Sequence, residues 1–179
     1  MLIELLALGM LAQSPVAGPP VPARPHTTPV ERSADGTVLG TVGAADANEI
    51  EAAKLATDKA SDGDVKAFAT MLLHDHQESL SAGTALAKEF HITLLLPADS
   101  AMAREHTREM AELNVLSGAA FDKAYVQFTV SSHKAMIAKI NGGLLTQATR
   151  PRVKEFVRQQ VPAMTTHRET GEKWLAAHP

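Results

Sequence analysis

Apolar residues recur along most of the chain at spacings of three and four, the period of a helix with one face on a core. Placed at about 100° per residue, four long segments gather their apolar positions into single sectors. The first, residues 44–60, brings Ala45, Ala52, Ala53, Ala56 and Ala60 together. It ends at "SDGD", a turn in which Asp62 or Asp64 can cap the next helix. The second, residues 64–90, aligns Val65, Phe68, Ala69, Leu72, Leu80, Ala87 and Phe90. The third begins in "FDKAY" and aligns Tyr125, Val126, Thr129, Met136, Ile137 and Ile140. Leu144 and Gln147 keep its register, so it is expected to run on through Asn141, Gly142 and Gly143, at about 1 kcal/mol per glycine. The fourth starts at Pro151, a favourable first-turn proline, and aligns Val153, Phe156, Val157, Met164, Trp174 and Leu175. Pro162 falls inside it and is expected to bend it. A shorter amphipathic segment, residues 100–116 with Asp99 as its cap, lies between the second and third. The pattern predicts an all-α fold: an up-and-down type four-helix bundle with an additional short crossover helix.

Each long stripe carries one polar intruder: Glu49, His76, His133 and His167. Two antiparallel helices joined by a tight turn bring level those residues whose numbers mirror about that turn. Glu49 and His76 mirror about the "SDGD" turn, and His133 and His167 mirror about "QATRP". All four can therefore share one layer, although the offset between the two hairpins is left open. His74 and Glu51 fall on outward faces and are expected to be dispensable, with Asp75 beside His74 toward solvent or a flank. His106 reads as a half-buried amphipathic residue of the crossover helix. Asp122 lies three turns from His133, too far to share a ligand, and reads as a cap of its own helix or of a neighbouring end. Tyr125 reads as core with a hydrogen-bonded hydroxyl.

A polar group left unpartnered in a dry core costs about 1–3 kcal/mol, so four in one layer would consume much of a domain's roughly 5–15 kcal/mol. One carboxylate and three imidazoles satisfy this cost by holding a single transition-metal ion, Zn, Cu, Fe or Mn. The alternative is a metal-free Glu–His hydrogen-bond network drawing on Tyr125, Thr129 or Gln160, in a bundle that acts through its surface. Haem held by two of the histidines is a third arrangement, which an absorption spectrum would reveal. Met136 and Met164 flank His133 and His167 by one turn and read as core filler before soft ligands. The paired E-x-x-H motif of di-iron bundles is missing, as are H-E-x-x-H, G-x-S-x-G and a phosphate-cradling glycine loop. No catalytic residue is assigned.

Composition narrows the setting. The 179 residues are 45% apolar, enough for one sizeable core, and the net charge of −3 with interspersed signs offers no nucleic-acid surface. With no cysteine there are no disulfides or thiolate ligands. Residues 1–13 are apolar but too short for the ~20 residues of a transmembrane helix, and resemble the hydrophobic part of a signal peptide. Residues 14–43 hold most of the ten prolines and read as an extended tether, leaving residues 44–178 for the bundle. This predicts an exported protein of the periplasm or envelope with no membrane span once processed.

Three stretches carry a family resemblance: residues 48–89, "LSGAAFDKAYVQFTVSSHKAMI" and "VPAMTTHRE". Together they resemble the bacterial domain of unknown function 4142 family over most of the folded part. The resemblance implies a ferritin-like helical bundle, exported, with no settled activity. The family's Asp-His pair matches Asp75 and His76, its later histidines match His133 and His167, and its first-helix glutamate matches Glu49. Ser132 departs from the pattern, since the family commonly has Asp there, and this alters the surroundings of His133.

Overall fold

The computed structural model describes residues 33–95 and 101–179. The expected leader and most of the expected tether, residues 1–32, lie outside them, as does the expected Asp99 cap. The fold is all-α. Its long helices are α1 (Ala34–Lys59), α2 (Gly63–Glu89), α4 (Gly118–Lys139) and α6 (Pro151–Ala177). The shorter α3 (Ala101–Val115) lies between α2 and α4. A π-helical turn (Ile140–Leu144) and the three-residue α5 (Leu145–Gln147) join α4 to α6. Among the described residues no helix is long and apolar enough to cross a membrane.

α1 packs mainly on α2, and α4 mainly on α6. The α1–α2 contact is close because its α1 side is alanine: Ala52, Ala53 and Ala56 are fully buried. The turn between these helices is capped by Asp62, whose Oδ1 accepts from the backbone N–H groups of Asp64 and Val65. Two core clusters result. Phe68, Leu72, Phe121, Tyr125 and Val126 fill the end nearest this turn. Val38, Leu39, Val42, Ile140, Val153 and Val157 fill the other.

Two buried aspartates lock the hairpins to one another, each reaching from one hairpin to the turn of the other. Asp122 on α4 accepts from the backbone N–H groups of Ser61 (3.0 Å) and Asp62 (2.9 Å), and from the Ser61 hydroxyl. Of the two roles expected of it, a cap of its own helix or of a neighbouring end, this is the second. At the opposite end Asp35 on α1 accepts from Thr149 N–H (2.7 Å), the Thr149 hydroxyl (2.7 Å) and the Arg150 guanidinium (2.6 Å). These ties set the offset that the sequence pattern left open. They also show the direction of each helix: α2 and α4 run the same way, because α3 carries the chain back along the bundle. The order is therefore up, down, down, up, the one-crossover arrangement of ferritin-like bundles, in place of strict alternation. Lys59 closes the far end of α3 by donating to the carbonyls of Leu113 and Asn114.

Two element boundaries differ from expectation. α1 begins at Ala34, capped by the Ser33 hydroxyl on Gly36 N–H, so residues 34–43 are helix and not tether. The segment has a core of its own, with Val38, Leu39 and Val42 buried. It also holds residues 92–95: Leu95 N–H donates to Gly36 O (3.0 Å), and a Cβ on Gly40 would stand 2.4 Å from Leu95 O. The third long helix does not run straight through its glycines. Gly143 has φ +146°, a value closed to side chains, and the chain widens into the π turn there. Ile140 and Leu144 stay buried on either side, so the apolar register survives the kink.

Candidate metal centre

His76 on α2, His133 on α4 and His167 on α6 meet inside the bundle, all buried. The mirrored spacing about the "QATRP" turn makes His133 and His167 level, and the Asp35 and Asp122 ties bring His76 to the same height. Ring centroids are 5.2 Å apart for His133–His167, 5.4 Å for His76–His133 and 5.5 Å for His76–His167. One ring nitrogen from each lies within 4.8 Å of the other two.

The remaining nitrogen of each ring is held from behind. His76 Nδ1 lies 2.9 Å from Asp46 Oδ1, and the other oxygen of Asp46 accepts from Ser79 Oγ at 2.7 Å. His133 Nδ1 donates to the carbonyl of Thr129 at 2.8 Å. His167 Nε2 donates to Asp75 Oδ2 at 2.9 Å. Oxygen acceptors behind an imidazole fix its tautomer and turn its lone pair to the front. The lone pairs left are those of His76 Nε2, His133 Nε2 and His167 Nδ1. His133 Nε2 and His167 Nδ1 stand 3.2 Å apart, and His76 Nε2 is buried with no hydrogen-bond partner among the described residues.

The electrostatics keep two of these rings neutral. Burial pushes His133 and His167 below the usual histidine range, and the carboxylates nearby only partly offset it. Burial pulls His76 the same way, but the Asp46 hydrogen bond and the Glu49 charge outweigh it and hold His76 above the usual range. Asp75 is raised by burial and lowered further by its bonds to His167 and His74, ending below the ordinary carboxylate value.

Glu49 is buried beside the three rings but outside their converging group. Its Oε1 accepts from Ser132 Oγ and lies 3.6 Å from His133 Nδ1, the outward nitrogen of that ring. Its Oε2 has no hydrogen-bond partner among the described residues. Ser132 thus engages the glutamate directly. The residues expected to point away do so. The His74 side chain is 68% exposed, with its Nδ1 3.1 Å from Asp75 Oδ1, and exposed Glu51 meets His106 Nε2 at 3.0 Å. Tyr125 is in the core as expected, with the Thr129 side chain beside its hydroxyl.

Two members of the centre escaped the sequence pattern. Asp46 lies one turn before Glu49 and mirrors Ser79, its partner, about the same turn that relates Glu49 to His76. That mirror was the available signal. Asp75 is expected, with His74, toward solvent or a flank. Its side chain is 38% exposed, but it crosses to α6 to hold His167. A cavity of about 370 Å³ between α1, α3 and α4 reaches Asp46, Glu49, His76 and His133.

Three converging imidazoles suit zinc, copper, iron or nickel. The residues present can hold such an ion, and the bundle recurs in solved structures. A DUF305 fragment from Deinococcus radiodurans is 17% identical with a TM-score of 0.72, covering 80% of this chain and 96% of that one. A DUF305 protein of Streptomyces coelicolor, named as a candidate secreted protein, is 15% identical with a TM-score of 0.67, covering 81% and 93%. CopM in its Cu(II)-bound form is 13% identical with a TM-score of 0.65, covering 81% and 97%. At such identities the likeness is one of fold. No curated protein matches the chain. Residues 19–173 match the family described as Domain of unknown function (DUF4142). That match spans both hairpins and all three converging histidines, and the chain belongs to the DUF4142 family.

Proposed function

We propose that the protein binds one transition-metal ion in the bundle core through His76, His133 and His167, and serves metal handling or stress protection in the cell envelope. Glu49, whose Oε2 is buried and unpartnered, supplies the fourth donor by turning from Ser132. The observation that carries this reading is the 3.2 Å approach of His133 Nε2 to His167 Nδ1. The partner behind His133 is a carbonyl, which only accepts, and the partner behind His167 is a carboxylate held ionised. With both rings neutral, no proton is left to bridge the two lone pairs. Burial opposes the charged imidazolium that would supply one. A cation in front of all three rings resolves the contact. Copper is the first candidate, because imidazole donors suit it and because CopM, of similar fold, is Cu(II)-bound. Export is supported by the leader-like residues 1–13 and by the candidate secreted protein of similar fold.

Elemental analysis of protein purified without a histidine tag tests the reading, beside His76→Ala and His74→Ala variants. Wild type and His74→Ala should carry equal metal and His76→Ala little. Equal content in all three removes the site.

A second reading rests on the pairs already closed without an ion: Glu49 with Ser132, Asp46 with His76 and Ser79, and Asp75 with His167. In that reading the layer is a buried network in a metal-free interaction bundle, and thermal stability is indifferent to chelator.

A further inference from the structure

The cavity beside the centre runs from solvent to the converging rings. Its inner wall includes His76, His133 and Glu49, all buried. Two atoms of that wall, His76 Nε2 and Glu49 Oε2, have no hydrogen-bond partner among the described residues. Its outer rim includes Ala101 and Glu105 of α3 and Ala135 of α4, all exposed. Between rim and floor the surface is largely apolar, with Val42, Phe128, Met102, Met136 and Met164. The carboxyl groups on it outnumber the one lysine: Asp46, Glu49, Glu105 and Glu109 against Lys139. Burial, with the charges of Glu105 and Glu49 adding to it, pushes the Glu109 carboxyl up to about 7. His167 is not part of this wall. It is secured from the other side by Asp75.

Purely structural ions are sealed on all sides by protein donors, whereas sites that exchange ligands keep one position within reach of solvent. The volume of about 370 Å³ lies within the range of small-molecule clefts. Its carboxylates disfavour a negatively charged visitor, and its apolar walls favour a compact, weakly hydrated one. Resting on the metal reading above, we propose that the core ion keeps one coordination position facing this cavity, and that the position takes a small neutral nitrogen donor from solvent in preference to an anion. The ion is then a reactive centre with a shaped approach, and α3 supplies one side of that approach.

The test uses the full chain loaded with Cu(II), with loading counted by elemental analysis after desalting and again after each titration. Imidazole and azide are titrated separately, and the Cu(II) paramagnetic resonance spectrum is followed. The spectrum should change saturably with imidazole, and azide should need at least tenfold more for the same occupancy. Ala135→Phe and Ala101→Phe, both at the exposed rim, should keep copper and shift the imidazole midpoint upward by tenfold or more. Copper-loaded protein whose spectrum imidazole does not move overturns the proposal. So does azide binding as tightly as imidazole, or an imidazole titration that merely strips the copper. A loading step that leaves no copper on the protein removes the metal reading itself, and this inference with it.

Discussion

Replacing Asp35 by asparagine should weaken the whole bundle and should change how its stability depends on pH. Asp35 is fully buried, and it accepts from Thr149 N–H, the Thr149 hydroxyl, the Arg150 guanidinium and, at 3.4 Å, Arg150 N–H. Asparagine is nearly isosteric, so no cavity opens. Its amide oxygen can still accept from the two backbone donors, and its nitrogen can donate to a reoriented Thr149 hydroxyl. It cannot accept from the guanidinium with that same nitrogen, so this bond is lost. The bonds that survive fall from the ~1.5–3 kcal/mol of a charged acceptor to the ~0.5–1.5 kcal/mol of a neutral one. The Arg150 side chain is 41% exposed and regains water, which discounts its share. A net loss of about 2–3 kcal/mol follows, or a drop in Tm of roughly 5–10 °C for a chain of this size. Burial raises the Asp35 pKa, but the bonds from Thr149 and Arg150 outweigh it and hold the folded value below the ordinary one. A depressed folded pKa gives stability that is present above the unfolded value of about 3.9 and lost as pH falls through the folded value. The difference between wild type and Asp35→Asn should therefore be full at pH 7 and shrink steadily below pH 4. Urea unfolding at a series of pH values reads both effects. A variant within about 0.5 kcal/mol of wild type at pH 7, or a difference constant down to pH 2, would refute the anchoring role.

The remaining predictions concern the centre and its frame. Asp46→Asn should lower metal affinity by about 10–100-fold, since an amide nitrogen facing His76 Nδ1 would invert the tautomer; competition against a calibrated chelator measures this, and an unchanged affinity counts against the orienting role. Gly40→Ala should cost about 1–3 kcal/mol, because its Cβ would meet the Leu95 backbone carbonyl, which is no flexible side chain to be pushed aside; a stability equal to wild type in urea would show that residues 92–95 yield freely. Metal loading should fall as the solution is acidified through about pH 6.5. His76, held above its usual value, is the first ring for which protons compete, and equilibrium dialysis across pH 5–8 should show it; loading that holds flat to pH 5 excludes histidine ligation. Chelator should lower the Tm of metal-loaded protein and leave that of His76→Ala unchanged, whereas equal curves for both favour the metal-free network.

How far the centre was legible follows from two simple facts of helix geometry. A 3.6-residue period puts Glu49, His76, His133 and His167 on inward faces, and a tight turn makes mirrored positions level. Both follow from local spacing, and both hold in the structure for the three histidines. Glu49 is inward and level too, but a side-chain torsion turns its carboxylate to Ser132 and the back of His133. No periodicity encodes a torsion chosen by a neighbour on another helix. Asp75 shows the same limit: its neighbour His74 is exposed on α2, and the approach of α6 gives its Oδ2 a partner in His167.

By itself the sequence determined the helical periods, the turns, the inward placement of three imidazoles and the family pattern that accompanies them. Only the tertiary structure decided where α1 begins, because residues 34–43 combine weak helix formers with a neighbouring proline-rich composition and are ordered by contacts with residues 92–95 and the Thr149 turn. It also decided the offset of the two hairpins and the direction in which each imidazole presents its lone pair. The reason is one of range. Helix period and turn length act between residues a few positions apart, whereas Asp35 with Thr149, Asp122 with Ser61 and Asp75 with His167 are bonds between segments that meet only after the chain has folded.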